Sequence, residues 1–153
     1  MIRAAIAETR AFESWQDYQD ALKHAIAPLT DEQLQRRLIP SLRTPGEIAE
    51  HIVFGRALHL HRTLGEAAAE LTPLLRWEDA DDPPHTATEI LHGLELTWRF
   101  ITSSLLHGAP TDAISEEEAS IMQTIWGLLD HDLPHAGELS LLLGAAGMSG
   151  VEI

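Results

Sequence analysis

Three histidines, His51, His131 and His135, have the spacing expected of a metal site. His131 and His135 are four residues apart in the segment TIWGLLDHDLPHAGELSLLLGAAGM, so a helix places both rings on one face, one turn apart. Two imidazoles in this arrangement can bind the same metal ion. His51 lies in a second helical stretch, TPGEIAEHIVFGRALHLHR, and can supply a third nitrogen. Three neutral histidines leave coordination positions open, which is typical of a catalytic rather than a structural metal.

A divalent ion held by three histidines keeps its full charge, and this allows two kinds of chemistry. The ion can lower the pKa of a bound water to roughly 7, which favours hydrolysis. It can instead bind and deprotonate a thiol, which favours an S-transfer or a thiol-assisted isomerisation. Because the chain has no cysteine, that thiol would be a small molecule. A noncatalytic module, in which the metal stabilises the fold, is a third hypothesis.

The elements that position these histidines are predicted to be helices, because apolar residues recur with a helical period and no segment alternates like a strand. Four long helices are predicted, roughly over residues 6–27, 45–70, 87–107 and 116–143, with a short one in 30–37. The loop between the second and third long helices contains WEDADDPPH, which is long enough to cross one end of a bundle. The predicted fold class is therefore all-α, an antiparallel four-helix bundle, formed by a single domain over residues 1–153.

Four helix starts are marked by a Ser or Thr with Glu or Gln three residues later, because these two side chains can satisfy the free amides of a first turn. The pairs are Thr30 with Gln33, Thr44 with Glu47, Thr86 with Glu89, and Ser115 with Glu118. Gly144 and Gly147 are the expected stop of the last helix.

The three histidines lie on the predicted inward stripes of their helices, beside apolar residues. Glu138, one turn after His135, is the expected carboxylate partner of the site, with a structural pairing at the end of the bundle as the alternative. Arg56 and Arg62 are expected on the surface, and the other histidines are expected to have no role in the site. Pro134 removes the amide that would bond the carbonyl of Asp130, so a kink or bulge is predicted between the two histidines.

The charge of the chain excludes one class of partner. With 24 acidic and 10 basic residues, the net charge is −14, and it would repel nucleic acid. The longest mostly apolar run, residues 139–148, is too short to span a bilayer. The N-terminal segment MIRAAIAETRAFESW reaches Glu8 and Arg10 before any apolar stretch could form the core of a signal peptide. A cytoplasmic protein without membrane or nucleic-acid partners is therefore expected.

The chain resembles the DinB-like superfamily of four-helix bundles, which includes thiol-dependent S-transferases and a maleylpyruvate isomerase. The resemblance covers most of the chain and rests on the two segments that carry the histidines, together with the spacing between them. It implies that His51, His131 and His135 bind a divalent ion, often zinc or nickel, and that the chain forms homodimers. The leading hypothesis is therefore a metal-dependent enzyme that uses a small-molecule thiol as an S-transferase or isomerase. A metal-dependent hydrolase and a noncatalytic metal-binding stress-response module are the alternatives.

Overall fold

The fold is all-helical in a computed structural model that describes the backbone of residues 2–107 and 115–152 and the side chains of 12–105 and 115–152. Five α-helices follow one another within these ranges, and no strand occurs there. They are α1 (Ile2–Ile26), α2 (Asp31–Gln35), α3 (Pro45–Leu64), α4 (Ala87–His107) and α5 (Glu116–Ala145). The predicted all-α class is confirmed.

All four predicted helix starts are confirmed by reciprocal hydrogen bonds. At Thr30, Thr44 and Ser115 the hydroxyl accepts a bond from the amide three residues later, and the Glu or Gln there accepts one from the cap amide. Thr86 makes the same pair of bonds with Glu89, at 2.8 and 3.3 Å. These local bonds fix where α2, α3, α4 and α5 begin, because they occupy amides that have no partner inside the helix.

Helix α3 ends six residues earlier than the predicted limit at residue 70, and this end shapes the site. Gly65 has φ of 56° and ψ of −131°, a conformation that is essentially restricted to glycine. A 3₁₀-helical segment, Gly65–Arg76, follows it and packs against α3. The loop that comes after this segment, residues 77–86, can therefore reach the side of α3 that carries His51.

The core is one cluster of buried apolar side chains to which all the helices contribute. Helix α3 packs against α4, α5, α2 and the 3₁₀ segment, while α1 packs against α4. Trp98 of α4 is 6% exposed, and its ring meets the edge of Trp15 of α1 at a centroid distance of 5.5 Å. No helix in the described part of the chain has both the length and the apolar character that a bilayer span requires.

Helix α5 continues through Pro134, so the bulge predicted there does not occur. The backbone is α-helical without a break from Glu116 to Ala145. Pro134 cannot donate to the carbonyl of Asp130, but both residues lie on the exposed face, where water can satisfy that carbonyl. His131 and His135 therefore stay on consecutive turns of one helix.

Candidate metal centre

The structure brings His51 of α3 together with His131 and His135 of α5. One ring nitrogen from each histidine lies within 4.8 Å of the others. The ring centroids are 4.5 Å apart for His51 and His135, 5.2 Å for His51 and His131, and 4.9 Å for His131 and His135. The sequence placed these residues on inward stripes, and the packing of α3 against α5 makes the stripes meet.

This donor set fits a divalent metal ion. Two nitrogens bound to one tetrahedral zinc at about 2.1 Å each are about 3.4 Å apart, so binding would draw the rings together by up to about 1.4 Å. Side-chain exposure is 19% for His51, 22% for His131 and 23% for His135. The three rings are thus enclosed enough to be oriented and exposed enough for a small molecule to reach them.

Each histidine places its Nδ1 beside a carboxylate. His51 makes a close contact with Glu78, His131 lies 3.2 Å from Oδ1 of Asp132, and His135 lies 3.4 Å from Oε2 of Glu138. An ionised carboxylate can only accept a hydrogen bond, so these contacts favour the tautomer with the proton on Nδ1, in which Nε2 keeps a free lone pair. This tautomer is the one that metal-binding histidines use when a carboxylate supports them.

The neutral state of the His51 ring favours metal binding. Partial burial lowers the pKa of His51 by disfavouring the charged ring, the bond to Glu78 raises it, and the nearby charge of Arg43 lowers it further. The result is a pKa below the ordinary value for histidine, so the ring is neutral at neutral pH. A metal ligand must be neutral in this way, because a proton would occupy the same lone pair.

Of the supporting carboxylates, only Glu138 was expected from the sequence, and its contact with His135 confirms that placement. Glu78 is in the acidic loop after the 3₁₀ segment, for which the sequence predicted only a connection across one end of the bundle. Asp132 follows His131 directly, so helical geometry alone does not indicate that the two side chains meet. The contact of Glu78 with His51 depends on tertiary packing.

Arg56, expected on the surface, is completely buried. Its Nε donates to Oδ2 of Asp132 at 2.7 Å, and its Nη1 donates to Oε1 of Gln19 at 2.8 Å. Gln19 in turn donates to the carbonyl of Leu94 at 3.3 Å. The buried polar network that these bonds form links α1, α3, α4 and α5.

Tyr18 adds a further bond to this network. Its hydroxyl donates to the backbone carbonyl of Asp132 at 3.2 Å. Burial raises the pKa of Tyr18 well above the ordinary value, and the negative charge of Asp132 raises it further. The phenol therefore stays protonated and acts as a donor.

His85, expected to have no partner, fixes the loop that carries Glu78. Its amide donates to Oε1 of Glu50 at 2.8 Å, and its ring nitrogens lie 3.3 Å from Glu50 and 3.4 Å from Asp82. The ring also stacks on Trp77 at a centroid distance of 4.0 Å. Because Glu50 belongs to α3, these contacts hold the loop against α3 and place Glu78 beside His51.

A pocket of about 560 Å³ lies between this loop and the chain that leads into α3. This volume is within the range of small-molecule sites. Glu78, the carboxylate that contacts His51, is part of its wall together with Arg43 and Glu50. The pocket therefore adjoins the candidate metal centre on the His51 side.

Comparisons with models of known protein families, with curated proteins and with solved structures found no match to this chain. A function can therefore be assigned only from the geometry and chemistry of the described residues.

Proposed function

We propose that the chain is a divalent-metal-binding protein of DinB-like type, and that it catalyses an S-transfer or isomerisation with a small-molecule thiol. The observation that carries this proposal is the three-histidine cluster in which every Nδ1 faces a carboxylate. A structural role for histidines does not require three rings that each place a nitrogen within 4.8 Å of the others. Zinc or nickel suits the all-nitrogen donor set.

The architecture that goes with this proposal is an antiparallel four-helix bundle formed by α1, α3, α4 and α5. Two observations support it: the shared apolar core, and the buried polar network that joins the four helices. The short α2 and the 3₁₀ segment are then additions to the bundle, and the homodimer belongs to the same proposal.

The residues of the chain have separate tasks in this function. His51, His131 and His135 would hold the ion, which when bound would make a coordinated thiol more acidic at neutral pH. Glu78, Asp132 and Glu138 hold the Nδ1 protons and orient the rings. The pocket beside Glu78 offers room for the remainder of the thiol or its acceptor, and its wall combines the guanidinium of Arg43 near His51 with a larger number of carboxylates.

A metal-binding experiment tests the site. Metal-stripped protein is titrated with zinc and with nickel, and we expect one equivalent to bind and to raise the melting temperature. His131→Ala should abolish this binding, whereas His92→Ala, a change at an exposed histidine of α4, should leave it unchanged. Equal metal content in wild-type and His131→Ala protein would disprove the assignment.

A turnover experiment tests the reaction. Metal-loaded protein is incubated with low-molecular-weight thiols and a panel of electrophilic acceptors, and we expect turnover that requires both the metal and the thiol. Turnover that needs no thiol and rises through neutral pH would indicate a hydrolase instead. Stabilisation by metal without turnover across the panel would indicate a noncatalytic module.

A further inference from the structure

We infer that Asp132 and Arg56 form a buried positioning pair that fixes the ring of His131, while His51 and His135 adjust to the ion. The inference rests on the proposed metal site and extends it to two side chains that touch no metal. It divides the three histidines into one fixed ligand and two adaptable ones.

The first argument is the difference in burial among the three supporting carboxylates. The side chain of Asp132 is 0% exposed, whereas Glu78 is 38% and Glu138 is 31% exposed. Water competes for the two glutamates, so each can leave its histidine at little cost. Asp132 has no such alternative, because a buried carboxylate without partners loses its full solvation.

The second argument is that both oxygens of Asp132 are occupied. Oδ1 faces His131, and Oδ2 accepts a bond from Arg56. Arg56 is held by Gln19, which is bonded to the carbonyl of Leu94. Because these groups lie on four different helices, Asp132 cannot rotate without disturbing the packing between them. The orientation of the carboxylate is therefore set by the fold and not by the metal.

A fixed acceptor fixes the histidine as well. Oδ1 of Asp132 selects the tautomer of His131 with the proton on Nδ1, and it limits the rotation of the ring. The free Nε2 is then held in place before an ion arrives, which reduces the entropy that binding would otherwise lose. Loss of such a supporting partner typically weakens metal binding about 10- to 100-fold.

The comparison of two matched variants tests this division. Asp132→Asn and Glu138→Gln make the same chemical change next to two ligands of one helix. We expect Asp132→Asn to weaken zinc binding about 10- to 100-fold, measured by competition with a chromophoric chelator. We expect Glu138→Gln to weaken it less than about threefold, since water can replace a partly exposed carboxylate. Equal losses in the two variants would overturn the inference.

A second variant addresses folding, because Asp132→Asn leaves Arg56 as a buried charge. The double change Arg56→Met with Asp132→Leu removes both charges together and replaces them with apolar side chains of similar size, which a folded core commonly tolerates. We expect this protein to keep its helical circular dichroism and to lose at least about tenfold in zinc affinity. A folded double variant that binds zinc as the wild type does would overturn the inference.

A spectroscopic measurement separates positioning from a purely structural role. The ¹⁵N shifts of His131 in metal-free wild-type protein should show a single tautomer with the proton on Nδ1, and the double variant should show a mixture of tautomers. A mixture in the wild type would contradict the inference. Since this measurement needs no metal, it decides the inference even if wild-type protein binds no zinc, which by itself would disprove the proposed function.

Discussion

Gly55 lies against the ring of His131, on the neighbouring helix. A Cβ at Gly55 would be 2.7 Å from Nε2 and 3.1 Å from Nδ1 of that ring, closer than a side chain can approach without displacing it. The absence of a side chain on α3 at this point is thus what allows His131 of α5 to face His51. A glycine inside a helix costs stability relative to alanine. Here the glycine leaves space for the ring of His131, one of the three candidate metal ligands.

The change Gly55→Ala should therefore weaken metal binding strongly while changing the stability of the metal-free protein little. We expect zinc affinity to fall at least about tenfold, because the methyl group moves the ring of His131 away from its position. Metal-free protein should lose little stability, since the gain in helix propensity, about 0.8–1 kcal/mol, offsets the displacement of a partly exposed ring. Chelator competition and urea unfolding measure the two effects.

The matched control for this change is Gly127→Ala in α5. A Cβ at Gly127 would meet nothing within 4 Å, so this variant should gain helix propensity and bind zinc as the wild type does. If Gly55→Ala also retains wild-type affinity, the close approach of the two helices does not determine the position of His131.

Arg56→Met alone should be strongly destabilising. It leaves the fully buried carboxylate of Asp132 without its charged partner, and breaking such a pair costs about 3–5 kcal/mol in unfolding free energy. Adding Asp132→Leu should restore most of this loss, because no charge then remains buried. Urea unfolding of the two single variants and the double variant gives the coupling between the residues, and additive losses would show that the pair is not energetically linked.

The sequence predicted the helices well because their signals are local. A capping pair such as Thr44 with Glu47 lies within four residues, and the apolar period repeats along each helix. The end of α3 was predicted too late because the helical pattern continues past Gly65, whereas Gly65 adopts a positive φ of 56° that ends the helix. The three histidines were found together because each lies on an apolar stripe that packing must bury.

The roles of Arg56 and Glu78 could not be predicted, because their partners are far away in the chain. Arg56 and Asp132 are 76 residues apart, and His51 and Glu78 are 27 residues apart. Glu78 also lies on a loop whose path depends on His85. An arginine on a helix is most often exposed, so composition indicated a surface position. Only the packing of four helices shows that this guanidinium has a carboxylate and an amide to bond.

The pKa of His51 should respond with opposite signs to two substitutions at its neighbours. Arg43 lowers this pKa by charge repulsion, and Glu78 raises it by accepting a hydrogen bond. Arg43→Gln should therefore raise the pKa towards its ordinary value, and Glu78→Gln should lower it further. NMR titration of the His51 ring in metal-free protein measures both, and shifts of the same sign would contradict the placement of the two charges.

This pKa also predicts how stability depends on pH. Since the folded-state pKa of His51 lies below the unfolded value of 6.5, the unfolded chain binds a proton more readily. The stability associated with a neutral His51 is therefore complete above about pH 6.5 and decreases as the pH falls towards the folded-state pKa. The Glu78→Gln variant, in which the pKa of His51 should be lower, should lose stability over a wider acidic range than the wild type.

The start of α5 provides a test that is independent of the metal site. Ser115 caps this helix, and its amide and hydroxyl both donate to Glu118 at 2.8 Å. Ser115→Ala should lower the unfolding free energy at neutral pH by about 1 kcal/mol, whereas Ser120→Ala, an exposed change inside the same helix, should not lower it. Thermal unfolding of the three proteins compares them directly, and equal melting temperatures would mean that the capping box contributes nothing to stability.

The stability difference between wild type and Ser115→Ala should depend on pH because of Glu118. The hydrogen bonds from the amide and hydroxyl of Ser115 lower the pKa of Glu118 below its ordinary 4.5, so the folded state binds a proton less readily than the unfolded chain. The contribution of Glu118 is therefore present above that value and is lost as the pH falls through the lowered pKa. In Ser115→Ala one of the two donors is gone, so the NMR-measured pKa of Glu118 should rise and the stability difference between the proteins should shrink at low pH. A difference that stays constant from neutral to strongly acidic pH would show that the Ser115 hydroxyl does not act through the charge of Glu118.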